Sequence, residues 1–222
     1  FVSESPDLAR LIERCEFDTI YHEHACYYSL TALDNLLRRH GLFINDVEPL
    51  SVHGGSLRLY AAKRPAPSAA VRDRLAEERA AGLNDETAYR ILARRVESIR
   101  TDLRRMLATF KAEGRRIAAY GAAAKGVVLL NYIGAGPETI DFVVDRNPHK
   151  HGLFMPGVRV PVSDPARLLE EQPDYVIVLA WNFLDEIVEQ QAEYLRRGGR
   201  FIVPIPQPRV VGAPSFPRSK AG

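Results

Sequence analysis

Apolar and polar positions alternate in two regimes along the chain, separated by a long charged stretch. In the first regime the pattern predicts a strand over 1–3, a helix over 6–15, a helix over 30–40 that stops at Gly41, and strands over 42–47 and 56–61. Between the two helices lies a dense polar and aromatic segment, 17–29. The run Lys63-Arg64-Pro65-Ala66-Pro67 then marks a linker, followed by charged helix almost unbroken to Gly114. Within it Tyr89, Leu92, Val96, Ile99, Leu103, Met106 and Phe110 recur at alternating spacings of three and four, which places them on one stripe. That stripe suits either the chain's own sheet or a coiled-coil seam between copies, and the long helices of α/β domains favour the first. Asp85, with Ala88 rather than Glu three positions on, predicts a plain N-cap.

From Arg116 the period changes. Strands are expected over 117–120, 140–145, 175–181 and 201–204, with helices over 123–133 and 183–197. Strands apolar on both faces that alternate with helices predict a Rossmann-like, doubly wound parallel sheet with its crevice at the carboxyl ends of the strands. The Pro-rich end, 206–222, has no periodicity and reads as an extended or disordered tail. The chain is therefore α/β, in four parts: 1–61, the back half of a first α/β sheet; 62–113, a helical connector; 114–205, the doubly wound domain; and 206–222, the tail.

Composition narrows the class. Of 222 residues 46% are apolar and 26% charged, enough for a packed core. Thirty basic residues against 28 acidic ones leave a charge of +2, so no nucleic-acid partner is expected. Cys15 and Cys26 alone make neither a disulfide framework nor a zinc knuckle, which fits a reducing cytoplasm. The longest apolar runs fall far short of the ~18 residues a spanning helix needs, so no membrane partner is expected. The first residues, Phe-Val-Ser-Glu-Ser-Pro, are not a signal peptide and read as a chain that begins in mid-fold.

Four segments could carry chemistry. Asp18-Thr19-Ile20-Tyr21-His22-Glu23-His24 gathers two imidazoles, two carboxylates and a phenol. An imidazole near neutral pKa, a carboxylate to orient it and a phenol to donate to developing negative charge suffice for acid–base work. A metal site would need a third ligand from elsewhere, and a polar loop with capping histidines is the plain alternative. The strand-to-helix turn Tyr120-Gly121-Ala122-Ala123-Ala124-Lys125-Gly126 lets backbone approach a phosphate, with the helix dipole and Lys125 beside it. Asp145 ends the next strand, where an acidic side chain commonly reaches a ribose hydroxyl. The second glycine of the dinucleotide fingerprint is replaced by Ala123; a tight packing turn with an exposed lysine is the plain reading. Val52-His53-Gly54-Gly55-Ser56-Leu57-Arg58 could grip an anion or simply enter a hairpin. Leu179-Ala180-Trp181-Asn182 could stack on a base or sugar and hydrogen-bond it, or be core with a capping Asn.

In order along the chain, FDTIYHEHACYYSL, VHGGSLR, YGAAAKGVVLLNYIG, VVDRNPHKHGLFMPG and VLAWNFLDEI resemble the S-adenosylmethionine-dependent sugar C-methyltransferases, which methylate C-3 of nucleotide-linked 4-keto deoxysugars. The resemblance implies a small zinc domain, a central methyltransferase domain and a C-terminal Rossmann-like domain that contributes to the nucleotide-sugar site. This sequence corresponds to the last part of that arrangement. The zinc cysteines and the glycine-rich S-adenosylmethionine loop have no counterpart in it, and Ala25-Cys26 replaces a larger apolar residue and a Ser. It therefore reads as a truncated or split form that pairs with the missing N-terminal part or self-associates through the 89–110 helix.

By the same resemblance the family's catalytic Tyr, Glu and His fall on Tyr21, Glu23 and His24, with His24 as base. Gly121 and Lys125 are placed on the pyrophosphate, and Asp145, Arg146 and Asn182 on the nucleoside or sugar. Two other classes stay open: an NAD(P)-dependent oxidoreductase on the C-terminal sheet, and a non-catalytic nucleotide-sugar-binding module.

Overall fold

A computed structural model describes residues 1–50 and 55–212. The chain divides into two compact units, Phe1–Ser98 and Ile99–Gly222.

The first unit runs β1 (Val2–Pro6), α1 (Leu8–Arg14), a 3₁₀ turn (Phe17–Thr19), α2 (Leu30–Arg39), β2 (Phe43–Leu50), β3 (Ser56–Ala62) and α3 (Ala69–Ala80). Its strands form an antiparallel sheet in the order β1-β3-β2. On β3, Leu57, Leu59 and Ala61 are buried while Arg58 and Tyr60 face outward, the period of two expected where one sheet face meets solvent. The buried face packs with Ile44 and Val47 of β2, Leu30 and Leu37 of α2, and Val71 of α3. β1 extends to Pro6, beyond the expected limit, because proline at the end of an edge strand withholds no ladder donor. Gly41, at φ +69, ends α2 as the sequence predicts, and the Leu42 N–H returns to the Leu37 carbonyl at 3.0 Å.

A buried ionic network holds this unit's helices. Asp7 caps α1, accepting from the Ala9 N–H at 3.0 Å, and receives the Arg74 guanidinium of α3 at 2.6 and 2.7 Å. Arg74 also lies 3.6 Å from Glu78, whose carboxylate accepts from the Leu30 and Thr31 N–H groups at the start of α2, at 2.7 and 2.8 Å. One helix thus supplies the cap of another and the counter-ion of a third element. The expected linker after β3 is itself tied down, since Asn45 accepts from the Ala66 N–H at 2.8 Å and donates to the Arg64 carbonyl at 3.1 Å.

Helix α4 (Glu86–Ala112) crosses the division. Asp85 accepts from the Thr87 N–H at 2.7 Å, as its predicted capping role requires. In the first unit Ala88 packs with Leu11, Ile12 and Leu83, while Tyr89 turns 41% of its surface outward. In the second, Ile99, Leu103 and Leu107 are buried and Phe110 stacks on Tyr175 of the sheet, ring centroids 3.9 Å apart. A 3.5-residue stripe drifts around a 3.6-residue helix, so its first member leaves the buried side.

The second unit continues with β4 (Ile117–Tyr120), α5 (Ala124–Ile133), β5 (Val143–Val144), β6 (Val162–Ser163), α6 (Arg167–Glu171), β7 (Tyr175–Val178), α7 (Leu184–Gln190), α8 (Ala192–Arg196), β8 (Arg200–Val203) and β9 (Arg209–Val211). The sheet order is β6-β5-β4-β7-β8-β9, parallel except that β9 runs antiparallel to β8. This is the expected Rossmann-like α/β sheet, with its order reversing at β4. Several details differ from the sequence reading: the strands expected over 140–145 and 175–181 shorten to Val143–Val144 and Tyr175–Val178, and α6 was not expected. β6 has only two residues, too few for a period to register. The helix expected over 183–197 breaks at Gln191, where ψ turns to +26°. Residues 209–211 belong to the sheet rather than to a tail, their ladder to β8 being set by tertiary pairing alone. Among the described residues no helix is long and apolar enough to cross a membrane.

Replacing Arg74 by Met leaves Asp7 buried without its guanidinium and should cost about 3 kcal/mol, read from urea midpoints. Arg90→Ala breaks only the exposed Arg90–Glu86 pair on α4 and should leave the midpoint unchanged.

Candidate functional site

In the first unit the polar segment after α1 folds as a short turn series. Phe17 and Asp18 are buried, and the Thr19 hydroxyl donates to the Glu16 carbonyl at 2.7 Å. The chain then reverses, with the His24 N–H bonded to the Tyr21 carbonyl at 3.1 Å. That turn brings the His24 ring edge-on to Tyr21, centroids 4.8 Å apart. Tyr27 fixes the pair from below: its hydroxyl donates to the Thr19 carbonyl at 2.8 Å and accepts from the Tyr21 N–H at 3.3 Å, while its ring stands 5.7 Å from His24. The sequence reading did not single out Tyr27. Its signal was the spacing of six from Tyr21 inside one aromatic-rich segment.

Tyr21 and His24 are half-buried, whereas His22 and Glu23 are exposed. Burial, and after it the charge of Glu23, pushes the Tyr21 phenol up, so the hydroxyl stays a donor at neutral pH. No described residue hydrogen-bonds the Glu23 carboxylate. Tyr21, Glu23 and His24 are therefore neighbours, with Glu23 felt electrostatically at Tyr21 and not bonded to His24. Among the described residues no three His, Cys, Asp or Glu side chains come together as metal ligands would.

In the second unit Gly121 ends β4 at φ +98, and a Cβ there would lie 2.9 Å from the Ala180 Cβ. Gly126 is equally tight, its missing Cβ 2.8 Å from Leu179. Two glycines thus press the start of α5 against the end of β7, which explains the small residues in this turn. Ala123 caps α5 with no side-chain acceptor for the helix's first N–H groups. Lys125, in the first turn, has its ammonium buried without a hydrogen-bond partner and 4.7 Å from the centre of the Trp181 ring. It is neither the exposed lysine of the plain reading nor a salt-bridge member.

Asp145 has a different task from the one expected at a ribose. Its carboxylate accepts from the Ala122 N–H at 2.7 Å, the Asn147 N–H at 2.9 Å and the Lys150 ammonium at 3.3 Å. Lys150, missed in the sequence, also donates to the Ala122 carbonyl at 2.7 Å. Acid and lysine together clamp both polar groups of the residue after Gly121, so the carboxylate shapes the turn. Arg146 is exposed and pairs with Glu186 at 3.0 Å. Asn182 is half-buried in a 3₁₀ turn (Trp181–Phe183) and does not cap α7. A cleft of about 280 Å³ joins Gly121, Asp145 and Arg146 to Tyr120, Phe183 and Gln190. Lys125 and Asn182 are not among its walls.

Of the VHGGSLR segment, Val52, His53 and Gly54 lie outside the described residues. The Gly55 carbonyl accepts from the Asp7 N–H at 3.1 Å, and Arg58 pairs across the sheet with Glu4 and Glu48, at 3.0 and 3.4 Å. An anion-gripping role for Arg58 gives way to a strand-to-strand one.

Asp145→Ala should lower stability by about 1–3 kcal/mol in thermal melts, because two partly buried N–H groups and the Lys150 ammonium lose their acceptor; a group serving a ligand alone would leave the melt unchanged. Gly121→Ala should be destabilising too, through the positive φ and the Ala180 contact.

Residues 51–206 match the family described as the C-methyltransferase C-terminal domain. The chain is also 43% identical over 218 residues to the C-methyltransferase NovU of Streptomyces niveus, an alignment covering 97% of this chain and 52% of that protein. It thus spans about half the length of the curated relative it matches.

Proposed function

Because the chain belongs to the C-methyltransferase family, as its C-terminal part, we propose that it supplies the proton chemistry and the nucleotide-sugar contacts of a C-methyltransferase acting at C-3 of a nucleotide-linked 4-keto deoxysugar. The observation that carries this reading is the Tyr21–His24 pair, a phenol held protonated 4.8 Å from an imidazole, with the exposed Glu23 beside them.

A C–H next to a ketone becomes nucleophilic only after losing its proton. In this reading the His24 imidazole takes the C-3 proton, and the electron pair moves onto the C-4 carbonyl oxygen as the enolate. The Tyr21 hydroxyl donates to that oxygen, where its raised pKa keeps the proton on the phenol. Glu23 polarises the site through its charge. In the second unit the uncapped start of α5 and the Lys125 ammonium are the groups suited to a pyrophosphate, and Arg146 on the cleft wall and Asn182 in the 3₁₀ turn after β7 are the candidates for the nucleoside or sugar.

S-adenosylmethionine is taken as the methyl donor from the family. The described residues do not fit a site for it: the glycine turn at Gly121 is the one described strand-to-helix passage of that kind, and Asp145, the acid that would meet a ribose there, already gives three of its about four acceptor positions to Ala122, Asn147 and Lys150. The same engagement of Asp145 weighs against a nicotinamide dinucleotide at this turn. No cofactor step is therefore assigned to this chain.

In the enzyme carrying this sequence, His24→Ala should abolish solvent deuterium uptake at C-3 of the sugar as well as methylation; uptake that survives removes His24 from the role of base. Exchange should persist to higher pH than an ordinary phenol near 10 would allow, because the protonated Tyr21 is the active donor and its pKa is raised. Glu23→Gln should bring that alkaline limit down, as followed by exchange rate against pH.

A further inference from the structure

Two phenols stand beside the His24 imidazole, and the fold gives them different work. The centre of the His24 ring lies 4.8 Å from that of Tyr21 and 5.7 Å from that of Tyr27. Burial does not separate the two tyrosines, since both are half-buried. Hydrogen bonding does.

The backbone that carries Tyr21 forms an inverse γ-turn: Ile20 has φ −81° and ψ +88°, and the Tyr21 N–H donates to the Thr19 carbonyl at 3.1 Å. A hydrogen bond closed over three residues is bent, and bent bonds are weak. The Tyr27 hydroxyl completes this one. It donates to the same Thr19 carbonyl at 2.8 Å and accepts from the same Tyr21 N–H at 3.3 Å, so one oxygen joins both ends of the turn. Its single proton is thereby committed to backbone and is not available to a substrate ketone. Burial pushes the Tyr27 phenol up, against the opposing pull of the Tyr21 N–H, and so keeps that proton in place.

The ring end of Tyr27 is held as well. It packs against the cluster of Leu11 and Ile12 from α1 with Leu83 and Ala88. Tyr27 thus runs from the apolar core of the first unit to the turn from which Tyr21 projects, and its ring borders His24 on the way. Proton transfer and oxyanion stabilisation both require groups held to within about half an ångström by neighbours whose own rotamers are fixed.

We propose that Tyr27 is a positioning residue for the Tyr21–His24 pair, its hydroxyl locking the γ-turn that aims the Tyr21 phenol and its ring bounding the His24 imidazole. This deepens the acid–base reading above and rests on it. Tyr27 itself transfers no proton.

Tyr27→Phe keeps the ring and removes the oxygen, and circular dichroism checks that the variant folds. In the 222-residue chain the nuclear Overhauser contact between the Tyr21 and His24 rings, expected in wild type, should fall severalfold in Tyr27→Phe. In the enzyme carrying this sequence the variant should slow deuterium exchange at C-3 about tenfold. The alkaline limit of that exchange should also move down toward the ordinary phenol value near 10, because a Tyr21 phenol released from its place regains water. Fewer folded molecules would lower the rate at every pH and leave that limit where it is. If either the ring contact or the alkaline limit is unchanged in folded Tyr27→Phe while His24→Ala abolishes exchange, Tyr27 has no such role and the acid–base reading stands. In wild type the Tyr21 amide should be protected from solvent exchange; an amide that exchanges as fast as a free peptide overturns the lock whatever the variant does. If C-3 exchange survives His24→Ala, the acid–base reading fails and this inference fails with it.

Discussion

Buried backbone N–H groups at the starts of helices and the bottoms of turns must find acceptors, and most of the architecture follows from how this chain meets that demand. Asp7 serves α1, Glu78 reaches from α3 to serve α2, and Asp145 serves the turn after β4. Each acceptor is a carboxylate taken out of water, so each requires a counter-charge: Arg74 for the first two and Lys150 for the third. The ionic groups inside this protein are thus consequences of helix and turn geometry. They tie sequence-distant elements together because the cap and the capped helix come from different segments.

This division of labour decides which polar residues are available for chemistry. Asp145 stands where an acid would meet a ribose, yet it has three protein partners already. Arg58 looks like an anion clamp and is a sheet cross-link. Among the described residues, groups not taken up in this way include Tyr21, His24 and Glu23 in one unit and the Lys125 ammonium in the other. The substrate proposed above, with a ketone at one end and a nucleotide at the other, would use both kinds of group.

Most of the fold was legible because it depends on local periodicity. The α/β class, the α4 stripe, the stop at Gly41 and the cap at Asp85 all rest on patterns within one helix or strand. β6 and β9 were not legible, since two or three residues acquire strand character only by pairing with β5 and β8. The geometry of the candidate site was legible in the same way. Tyr21, Glu23 and His24 are adjacent in sequence, and one turn brings the Tyr21 and His24 rings together. Lys150 matters through a partner 28 residues away, Ala122, a relation no single segment encodes.

The contact between Lys125 and Trp181 has a further consequence. Trp181 is the protein's single tryptophan, so all of its indole emission comes from a ring facing one ammonium at 4.7 Å. A positive charge on the ring face perturbs the indole's excited state, and an anion that draws the ammonium away relieves that perturbation. The protein therefore carries an intrinsic optical gauge of the charge at the start of α5, without any label.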